Sequence, residues 1–370
     1  MNFDLSDDQR LLADSLARLL ADRYGFEWRR AAELDGWSAA MWRSFVELGL
    51  PGLPFAEAEG GFGGGAADIM VVMEASGRHL VLEPLLGVLV LAATALRHAA
   101  SDAQREVWVP AIAEGVLIPA WAHAEASARH ELAHVATTAR QDGEGWRLDG
   151  TKTAVLHGAD AGLLIVSARV SGPVDAPDGL MLFAVEGEAA GLERVGYQMQ
   201  DGRLAADLVL DRVRAEPLAG DAWTTIEAVQ QAGIAASCAD ALGTMEAAQA
   251  LTIDYLKTRK QFGRTIGTNQ ALQHRAAEML VEIELARSMT LLATASLDEP
   301  DARQRALDLH RAKLVVGRAA RTVGQQAVQL HGGIGVTEEY QVGHCLRRLL
   351  VFEQMFGDTA SHLALLAETI

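Results

Sequence analysis

The sequence predicts an α+β fold that is mostly α, with an N-terminal helical domain, a middle β-barrel and a C-terminal four-helix bundle. Apolar residues recur at helical spacing over residues 1–115 and again over residues 219–370. Between these regions, residues 116–218 contain short apolar runs separated by glycine, proline and aspartate, which is typical of strands and turns. At 370 residues the chain exceeds one typical hydrophobic core, so we expect these three ranges to be separate domains.

The predicted N-terminal domain opens with a helix that begins at a capping box. Ser6 is followed three residues later by Gln9, and then by leucines at helical spacing. Further helices are predicted over about residues 38–48 and 84–98. The glycine cluster at residues 60–65 lacks the preceding strand and the following lysine and hydroxyl residue of a phosphate loop, so we predict a flexible or substrate-facing loop.

The middle domain is predicted to be a small barrel or sandwich, since residues 163–170, 180–185 and 206–210 are short apolar runs. The C-terminal domain is predicted to hold four long helices with short connections, which indicates an antiparallel bundle. These helices are expected near residues 223–255, 270–297, 303–330 and 338–366.

The chain is acidic, with a net charge of −17 from 49 acidic and 32 basic residues. It has no long basic stripe, which argues against a nucleic-acid-binding protein. An acidic protein that binds an anionic ligand must place its arginines locally, and Arg259 and Arg264 are such a placement. The basic residues of the third bundle helix, among them Lys313, Arg318 and Arg321, predict a solvated face.

The two cysteines, Cys238 and Cys345, have neither the spacing of a metal site nor that of a disulfide framework. A reduced, cytoplasmic location is therefore expected, and no metal site is predicted. The acidic N-terminus does not resemble a signal peptide. The longest apolar run, around residues 85–96, is too short to span a membrane, so no membrane association is expected.

Two glycine-broken turns interrupt the helical pattern of the C-terminal region, at residues 259–270 (RKQFGRTIGTNQ) and residues 329–335 (QLHGGIG). Glycine lets the backbone approach a ligand closely, and the planar fork of Arg259 matches phosphate oxygens, so together they could hold a dinucleotide pyrophosphate. The same residues are equally typical of helix C-termini with a glycine stop, and spacing alone leaves both interpretations open.

These turns give the chain a resemblance, over its whole length, to the acyl-CoA dehydrogenase family. The matching motifs are Arg259-x-Gln261-Phe262-Gly263, with Gln270 eleven residues after the arginine, and a second motif that begins at residue 329 and ends in a glycine pair. Residues 4–9 and 59–63 also resemble the family. Within it, the chain is most similar to the small subunits of pimeloyl-CoA dehydrogenases.

The resemblance implies FAD-dependent α,β-dehydrogenation of an acyl-CoA thioester to the 2-enoyl-CoA, with an electron-transferring flavoprotein as electron acceptor. It also implies that FAD lies across a subunit interface. The β domain of one subunit would hold the flavin ring, and the bundle of its neighbour would hold the pyrophosphate and adenosine. Residues of this chain that match the bundle half are Arg259, Gln261, Phe262, Gln270, Gln329, Gly332, Gly333 and Thr359.

The chain departs from the family in the flavin half of the site. Ala124 stands where the family has a threonine that hydrogen-bonds the ring. Ala154 and Leu156 replace a tryptophan and a threonine, so a stacking ring and a hydroxyl donor are missing from the expected flavin edge.

The catalytic glutamate of the family is missing as well. Its usual position corresponds to Gly357 and its alternative position to Gly233. Asp358 is the nearest carboxylate and the candidate base, although one residue along a helix turns a side chain by about 100°. Glu353, one turn earlier, points in a similar direction, and both carboxylates are also typical of structural or solvated groups.

The residues that match the bundle half of the cofactor site are present, whereas those of the flavin half and the base are missing. This predicts a base-less small subunit in an α2β2 heterotetramer with a homologous large subunit. Two alternatives stay open. One is a homo-oligomeric dehydrogenase that uses Asp358 as base, and the other is a non-catalytic acyl-CoA-binding or scaffold protein. The resemblance suggests a dicarboxylyl-CoA substrate, although no residue identifies an anchor for a distal carboxylate.

Overall fold

The structure, a computed structural model, describes residues 4–143, 145–261 and 263–368. The chain divides into two units, each discontinuous in sequence. The bundle unit comprises Met1–Ala31, Ala66–Val81 and Ile234–Ile370, and the barrel unit comprises Ala32–Gly65 and Leu82–Gly233. The three domain ranges expected from the sequence stay a prediction.

The structure is mostly helical, as predicted. The helices are α1 (Asp7–Arg23), α2 (Phe26–Asp35), α3 (Ala39–Glu47), α4 (Ala66–His79), α5 (Ala93–Ala99), α6 (Asp102–Ala113), α7 (Ala222–Thr258), α8 (Gln270–Ser296), α9 (Ala302–His331), α10 (Gln341–Gln354) and α11 (Thr359–Ala367). The capping box at the start of α1 is confirmed, since Gln9 N donates to Ser6 Oγ at 3.2 Å and Ser6 N to Gln9 Oε1 at 2.9 Å. The helix predicted over residues 84–98 is present but starts with a π-helical segment, Leu86–Ala92.

The barrel unit contains a seven-stranded sheet. Its strands are β1 (Pro119–Ala122), β2 (Thr138–Asp142), β3 (Gly145–Leu156), β4 (Leu163–Arg169), β5 (Leu180–Glu186), β6 (Leu192–Gln198) and β7 (Leu204–Pro217). The strand order is β1-β4-β2-β3-β7-β5, and β5 pairs back with β4, which closes the sheet into the predicted barrel, while β6 pairs with β7. Buried apolar side chains that include Leu148, Val166 and Phe183 fill its core.

Helices α4 and α7 of the bundle unit cross in direct backbone contact at two glycines. A Cβ atom on Gly77 would lie 1.8 Å from the carbonyl oxygen of Asp240, and one on Gly243 would lie 1.9 Å from that of Glu74. Glycine is therefore required at both positions, because any larger residue would push the two helices apart.

The prediction of one continuous last helix over residues 338–366 is wrong. The helix is broken between α10 and α11, where Phe356 and Gly357 have φ angles of +58° and +96°. The solvated face predicted on α9 is also wrong for Lys313, which is fully buried. Lys313 Nζ donates to three carbonyl oxygens around the end of α10, so these carbonyls are satisfied without further helical N–H groups.

Candidate functional site

The first glycine-broken turn forms a short hairpin after α7. Its strands are β8 (Lys260–Gln261) and β9 (Arg264–Thr265), and Ile266 N donates to the carbonyl oxygen of Arg259 at 2.9 Å. Arg264 Nη2 donates to Asn269 Oδ1 at 2.7 Å. The Arg259 side chain is exposed and has no hydrogen-bond or ion-pair partner within the described residues. Its guanidinium is therefore available to an external anion.

The second glycine-broken turn follows α9. Gly332 has a left-handed φ of +67° and begins a short 3-10 segment, Gly332–Val336. A Cβ on Gly332 or Gly333 would meet nothing within 4 Å, so the backbone is open on that side. Gln329 is exposed in the last turn of α9. This turn combines an open main chain with an amide side chain.

Three aromatic side chains bring the two turns to one end of the bundle unit. The His331 ring centroid lies 4.5 Å from that of Tyr255, near the end of α7, and 5.0 Å from that of Tyr340. His331 Nδ1 donates to the Ala327 carbonyl oxygen at 2.7 Å, and its side chain is buried. His331 is therefore a packed residue at a helix end.

This end of the bundle unit has the donor set that a pyrophosphate requires. Its members are a guanidinium without a partner among the described residues, exposed glutamine amides and an open glycine backbone, all of which bind phosphate oxygens. The residues therefore fit the phosphate portion of a dinucleotide. Gln261 in β8 and Gln270 at the first position of α8 are exposed at the same hairpin.

One predicted cofactor residue, Thr359, is not part of this cluster, and another, Phe262, lies outside the described residues. Thr359 is the first residue of α11, where its Oγ1 would lie 2.7 Å from a Cβ built on Gly317. Gly317 precedes Gly332 by fifteen residues (332 − 317) along α9, which is about 22 Å of helix. The structure therefore places Thr359 well away from the hairpin.

The position that corresponds to the family's glutamate has a backbone that does not suit a side chain. Gly357 has a φ of +96°, in the region that favours glycine, and a Cβ on it would lie 2.8 Å from His362 Nε2. The alternative position, Gly233, is buried within α7.

Both nearby carboxylates hold the start of α11. Asp358 is its N-cap residue, and Asp358 Oδ1 accepts hydrogen bonds from Ser361 N and Ser361 Oγ, both at 2.7 Å. Glu353 is buried, and its Oε1 accepts from Thr359 N at 3.1 Å. Each of these carboxylates thus has a structural function.

The expected flavin edge of the barrel unit offers neither an aromatic ring nor a hydroxyl at its three substituted positions. Ala124 is exposed, Ala154 has a left-handed φ of +53° at an irregularity between β3 and β7, and Leu156 is buried. Ala154 N donates to Asp207 Oδ1 at 3.1 Å, which fixes the irregular backbone.

The interior beneath this edge keeps a buried ion pair. Lys152 Nζ donates to Glu125 Oε1 at 2.8 Å, to Ser167 Oγ at 3.1 Å and to the His123 carbonyl oxygen at 3.1 Å. Lys152 is fully buried, and its burial lowers the pKa to about 8 although Glu125 counteracts the shift. Burial alone would raise the pKa of Glu125, but Lys152 and the hydrogen bonds from Thr137 bring it below its ordinary value. The buried ion pair is therefore present beneath the positions at which the expected flavin contacts are missing.

The glycine cluster of the barrel unit does not present free amides to a phosphate. Gly63 N donates to the Phe55 carbonyl oxygen and Gly64 N to that of Leu53, both at 2.7 Å. Across the described ranges, no three His, Cys, Asp or Glu side chains are placed to hold a metal ion. None of the helices in those ranges combines the length and hydrophobicity that a membrane span needs.

Three family models together match almost the whole chain. The acyl-CoA dehydrogenase N-terminal domain matches residues 6–116, the middle domain residues 120–213 and the C-terminal domain residues 223–370. Acyl-CoA dehydrogenase FadE12 of Mycobacterium tuberculosis is 30% identical over 358 residues, which are 92% of this chain and 90% of the relative. The chain belongs to the acyl-CoA dehydrogenase family.

Other relatives agree with this assignment. The (2S)-methylsuccinyl-CoA dehydrogenase of Cereibacter sphaeroides is 28% identical and aligns with 94% of this chain and 67% of its own length. The structure of a variant of the Tcur3481–Tcur3483 steroid ACAD is 30% identical, with a TM-score of 0.88 and coverage of 98% of this chain and 97% of that chain. Acyl-CoA dehydrogenases are FAD-dependent oxidoreductases that act on CH–CH bonds of acyl-CoA thioesters, and this chain is therefore a flavin-dependent dehydrogenase of that kind.

The sequence analysis wrongly placed Lys313 on a solvated face, whereas its side chain is fully buried. The sequence did indicate this burial, because Lys313 shares one face of α9 with the apolar residues Leu309, Val316 and Ala320, all of them buried. A lysine on an apolar helical face predicts a buried ammonium that hydrogen-bonds the main chain.

A pair of histidines beside Gly357 is expected to make this acyl-CoA dehydrogenase sensitive to acid. His362 Nε2 donates to the Phe356 carbonyl oxygen at 3.0 Å, so its Nδ1 accepts from His310 Nδ1 at 2.9 Å. Burial, with the nearby charges of Lys313 and His310, lowers the pKa of His362 to about 4. In the barrel unit, burial and Lys152 lower the pKa of His123 to about 3.

Because both folded pKa values lie below the ordinary value of about 6.5, the unfolded chain takes up these protons first as the pH falls. The stabilisation is complete above about pH 6.5 and is lost as the pH falls, down to about pH 4 for His362 and about pH 3 for His123, at up to about 1.4 kcal/mol per pH unit for each histidine. Urea unfolding of wild type and His362→Gln across this range should show a shallower slope for the variant. The exposed His274→Gln serves as the matched control, and an equal slope for His362→Gln would contradict the assignment.

Proposed function

We propose that this chain is the base-less subunit of a heteromeric FAD-dependent acyl-CoA dehydrogenase. In this proposal the chain contributes the bundle half of the cofactor site to a homologous large subunit. That partner supplies the flavin-ring contacts and the catalytic base. When bound, FAD accepts the β-hydride of the acyl-CoA thioester.

The observation that carries the proposal is the backbone at Gly357. A glutamate there would have to adopt a left-handed conformation and would place its Cβ 2.8 Å from His362 Nε2. A non-glycine residue in that conformation costs on the order of 1–3 kcal/mol. The two nearest carboxylates, Asp358 and Glu353, each use one oxygen to accept a main-chain N–H group of α11. This backbone supports the proposal that the chain itself supplies no base.

The exposed guanidinium of Arg259, which has no partner among the described residues, supports the proposed contribution of the bundle to the cofactor site. Its side chain, together with Gln329 and the glycine pair after α9, would bind the pyrophosphate through charge-assisted and main-chain hydrogen bonds. The printed name of the 30%-identical steroid ACAD joins two designations, Tcur3481 and Tcur3483, which supports a heteromeric assembly for this chain.

For the substrate we propose a dicarboxylyl-CoA, with pimeloyl-CoA as the first compound to test. The similarity to a (2S)-methylsuccinyl-CoA dehydrogenase, whose substrate carries a second carboxylate, supports this class. An electron-transferring flavoprotein is proposed as the electron acceptor from the family resemblance.

The test is the flavin absorbance of the chain purified alone and after co-expression with a homologous large subunit. We expect flavin colour, and bleaching by acyl-CoA, only in the co-purified pair. Stoichiometric FAD and bleaching in the lone chain would overturn the proposal in favour of a homo-oligomer, with Asp358→Asn as the next variant. A colourless pair that still binds acyl-CoA would favour the non-catalytic alternative.

A further inference from the structure

We infer that the barrel unit contains an anion-binding pocket between the glycine cluster of residues 60–65 and the helices α5 and α6. The pocket binds one small oxyanion, a carboxylate or a phosphate, between the guanidinium groups of Arg97 and Arg105. The inference does not depend on the proposed function, because the residues that line the pocket all belong to the barrel unit and lie outside the bundle half of the cofactor site.

The pocket has the size of a small-molecule site and an excess of positive charge. Its volume of about 390 Å³ lies within the range of roughly 300–1,000 Å³ that is typical of such sites. Two arginines, Arg97 and Arg105, line it together with one carboxylate, that of Glu59, although the chain as a whole has a net charge of −17. A local excess of positive charge in an acidic chain indicates an anionic ligand.

Arg97, in α5, contributes a guanidinium that is available to a ligand. Its side chain is exposed and lines the pocket, and within the described ranges it has no hydrogen-bond or ion-pair partner. A guanidinium has five N–H donors in a planar fork, and this fork matches two oxygens of a carboxylate or a phosphate. Arg97 can therefore bind an anion in the pocket through two parallel hydrogen bonds.

Arg105, in α6, is fixed in place by its neighbours. Its Nε donates to Glu59 Oε1 at 2.6 Å. Its Nη1 donates to the Ala100 carbonyl oxygen and its Nη2 to Asp102 Oδ1, both at 2.5 Å. Each nitrogen thus uses one N–H, so one N–H on each Nη atom remains for a ligand. Glu59 is held as well, since Ala56 N donates to Glu59 Oε2 at 3.2 Å, and this wall of the pocket is therefore fixed before a ligand binds.

The glycine cluster gives the pocket a second fixed wall, one without side chains. The main-chain N–H groups of residues 61–64 all donate to carbonyl oxygens of residues 52–56, at 2.7–3.2 Å. A Cβ on Gly61 would lie 2.2 Å from the Phe55 carbonyl oxygen, so the loop folds closely onto this segment. A Cβ on Gly63 would meet nothing within 4 Å, so the backbone borders open space there. The loop therefore shapes the pocket, whereas the arginines bind the anion.

The test measures the binding of two probe anions, inorganic phosphate and succinate, to the purified full chain by the line widths of their phosphorus and proton NMR signals. Every chain measured also carries Arg259→Leu, so that the probes do not occupy the proposed pyrophosphate site. We expect saturable binding with a dissociation constant of about 1 mM, and the two probes distinguish a phosphate ligand from a carboxylate ligand. Arg97→Leu should weaken this binding about tenfold, because it removes charge-assisted hydrogen bonds.

Two further variants locate the anion in the pocket. Arg43→Leu is the matched control, because Arg43 is an exposed arginine of the same unit, without a partner among the described residues, that does not line the pocket. It removes the same charge and should leave binding unchanged. Glu59→Gln removes the carboxylate of the pocket with little change in shape, so it should tighten binding about three- to fivefold.

The inference is overturned if neither probe saturates, or if Arg97→Leu binds as tightly as the chain with Arg97. An equal loss in the Arg43 and Arg97 variants would overturn it too, since that result would indicate attraction to net charge alone. Unchanged or weaker binding in folded Glu59→Gln would place the anion outside the pocket, with the same consequence. None of these measurements uses FAD or a partner subunit, so failure of the proposed function would leave the inference standing.

Discussion

Replacing Arg259 by leucine is expected to weaken FAD binding to the co-purified pair by about 2–3 kcal/mol, or roughly 30- to 150-fold in Kd. The Arg259 guanidinium is exposed and without a partner in the described parts of the chain, so its removal leaves no buried group unsatisfied. The loss should therefore appear in cofactor affinity and not in the stability of the apo protein. Fluorescence titration of the deflavinated pair, with its melting temperature, checks both.

Two variants in the same hairpin sharpen this prediction. Arg259→Lys keeps the charge but loses the planar fork, so we expect an affinity between those of wild type and Arg259→Leu. Arg264→Leu removes a guanidinium that hydrogen-bonds Asn269 within the chain, and it should change FAD affinity little. Equal losses for the Arg259 and Arg264 variants would show that net positive charge, and not a bidentate phosphate contact, accounts for the effect.

The elements that hydrophobic spacing specifies were predictable, and those that depend on contacts distant in sequence were not. The barrel strands and the long helices follow their apolar periods, and the capping box at Ser6 is visible in the sequence because capping is local. The break after Gln354 was missed. Gly357 and Asp358, the N-cap of α11, are a local signal for this break. The hydrogen bonds from Lys313 of another helix, by contrast, leave no trace in the helical pattern of residues 338–366.

The candidate site, too, could be predicted from the sequence only in part. The family resemblance singled out the arginine motif and the glycine pair, but it did not predict that Tyr255 and His331 bring them to one end of the bundle unit. The sequence shows a glycine at position 357, where the family resemblance implies a glutamate. The left-handed backbone there and its approach to His362 were not predicted, because both depend on where α10 ends and α11 begins.

The largest expected loss of stability comes from breaking the buried ion pair between α7 and α10. Arg348 Nε donates to Asp240 Oδ1 at 2.9 Å and Arg348 Nη2 to Asp240 Oδ2 at 3.0 Å, with both side chains buried. Arg348 Nη2 also donates to the Val81 carbonyl oxygen at 2.9 Å, and Ser76 Oγ donates to Asp240 Oδ2 at 3.3 Å. This one pair thus joins the segment after α4 to two bundle helices.

Arg348→Met should lower the free energy of unfolding by about 3–5 kcal/mol, because it leaves the Asp240 carboxylate buried without its cation. Asp240→Leu should have a similar effect, and the double variant should be more stable than the sum of the two losses predicts, since it leaves neither charge unpaired. Urea unfolding followed by circular dichroism gives all four values. Arg10→Met is the control, because its partner Asp7 is exposed and such surface pairs contribute little. Strict additivity of the two losses would mean that the two charges stabilise the fold independently, through Val81 and Ser76, and not through each other.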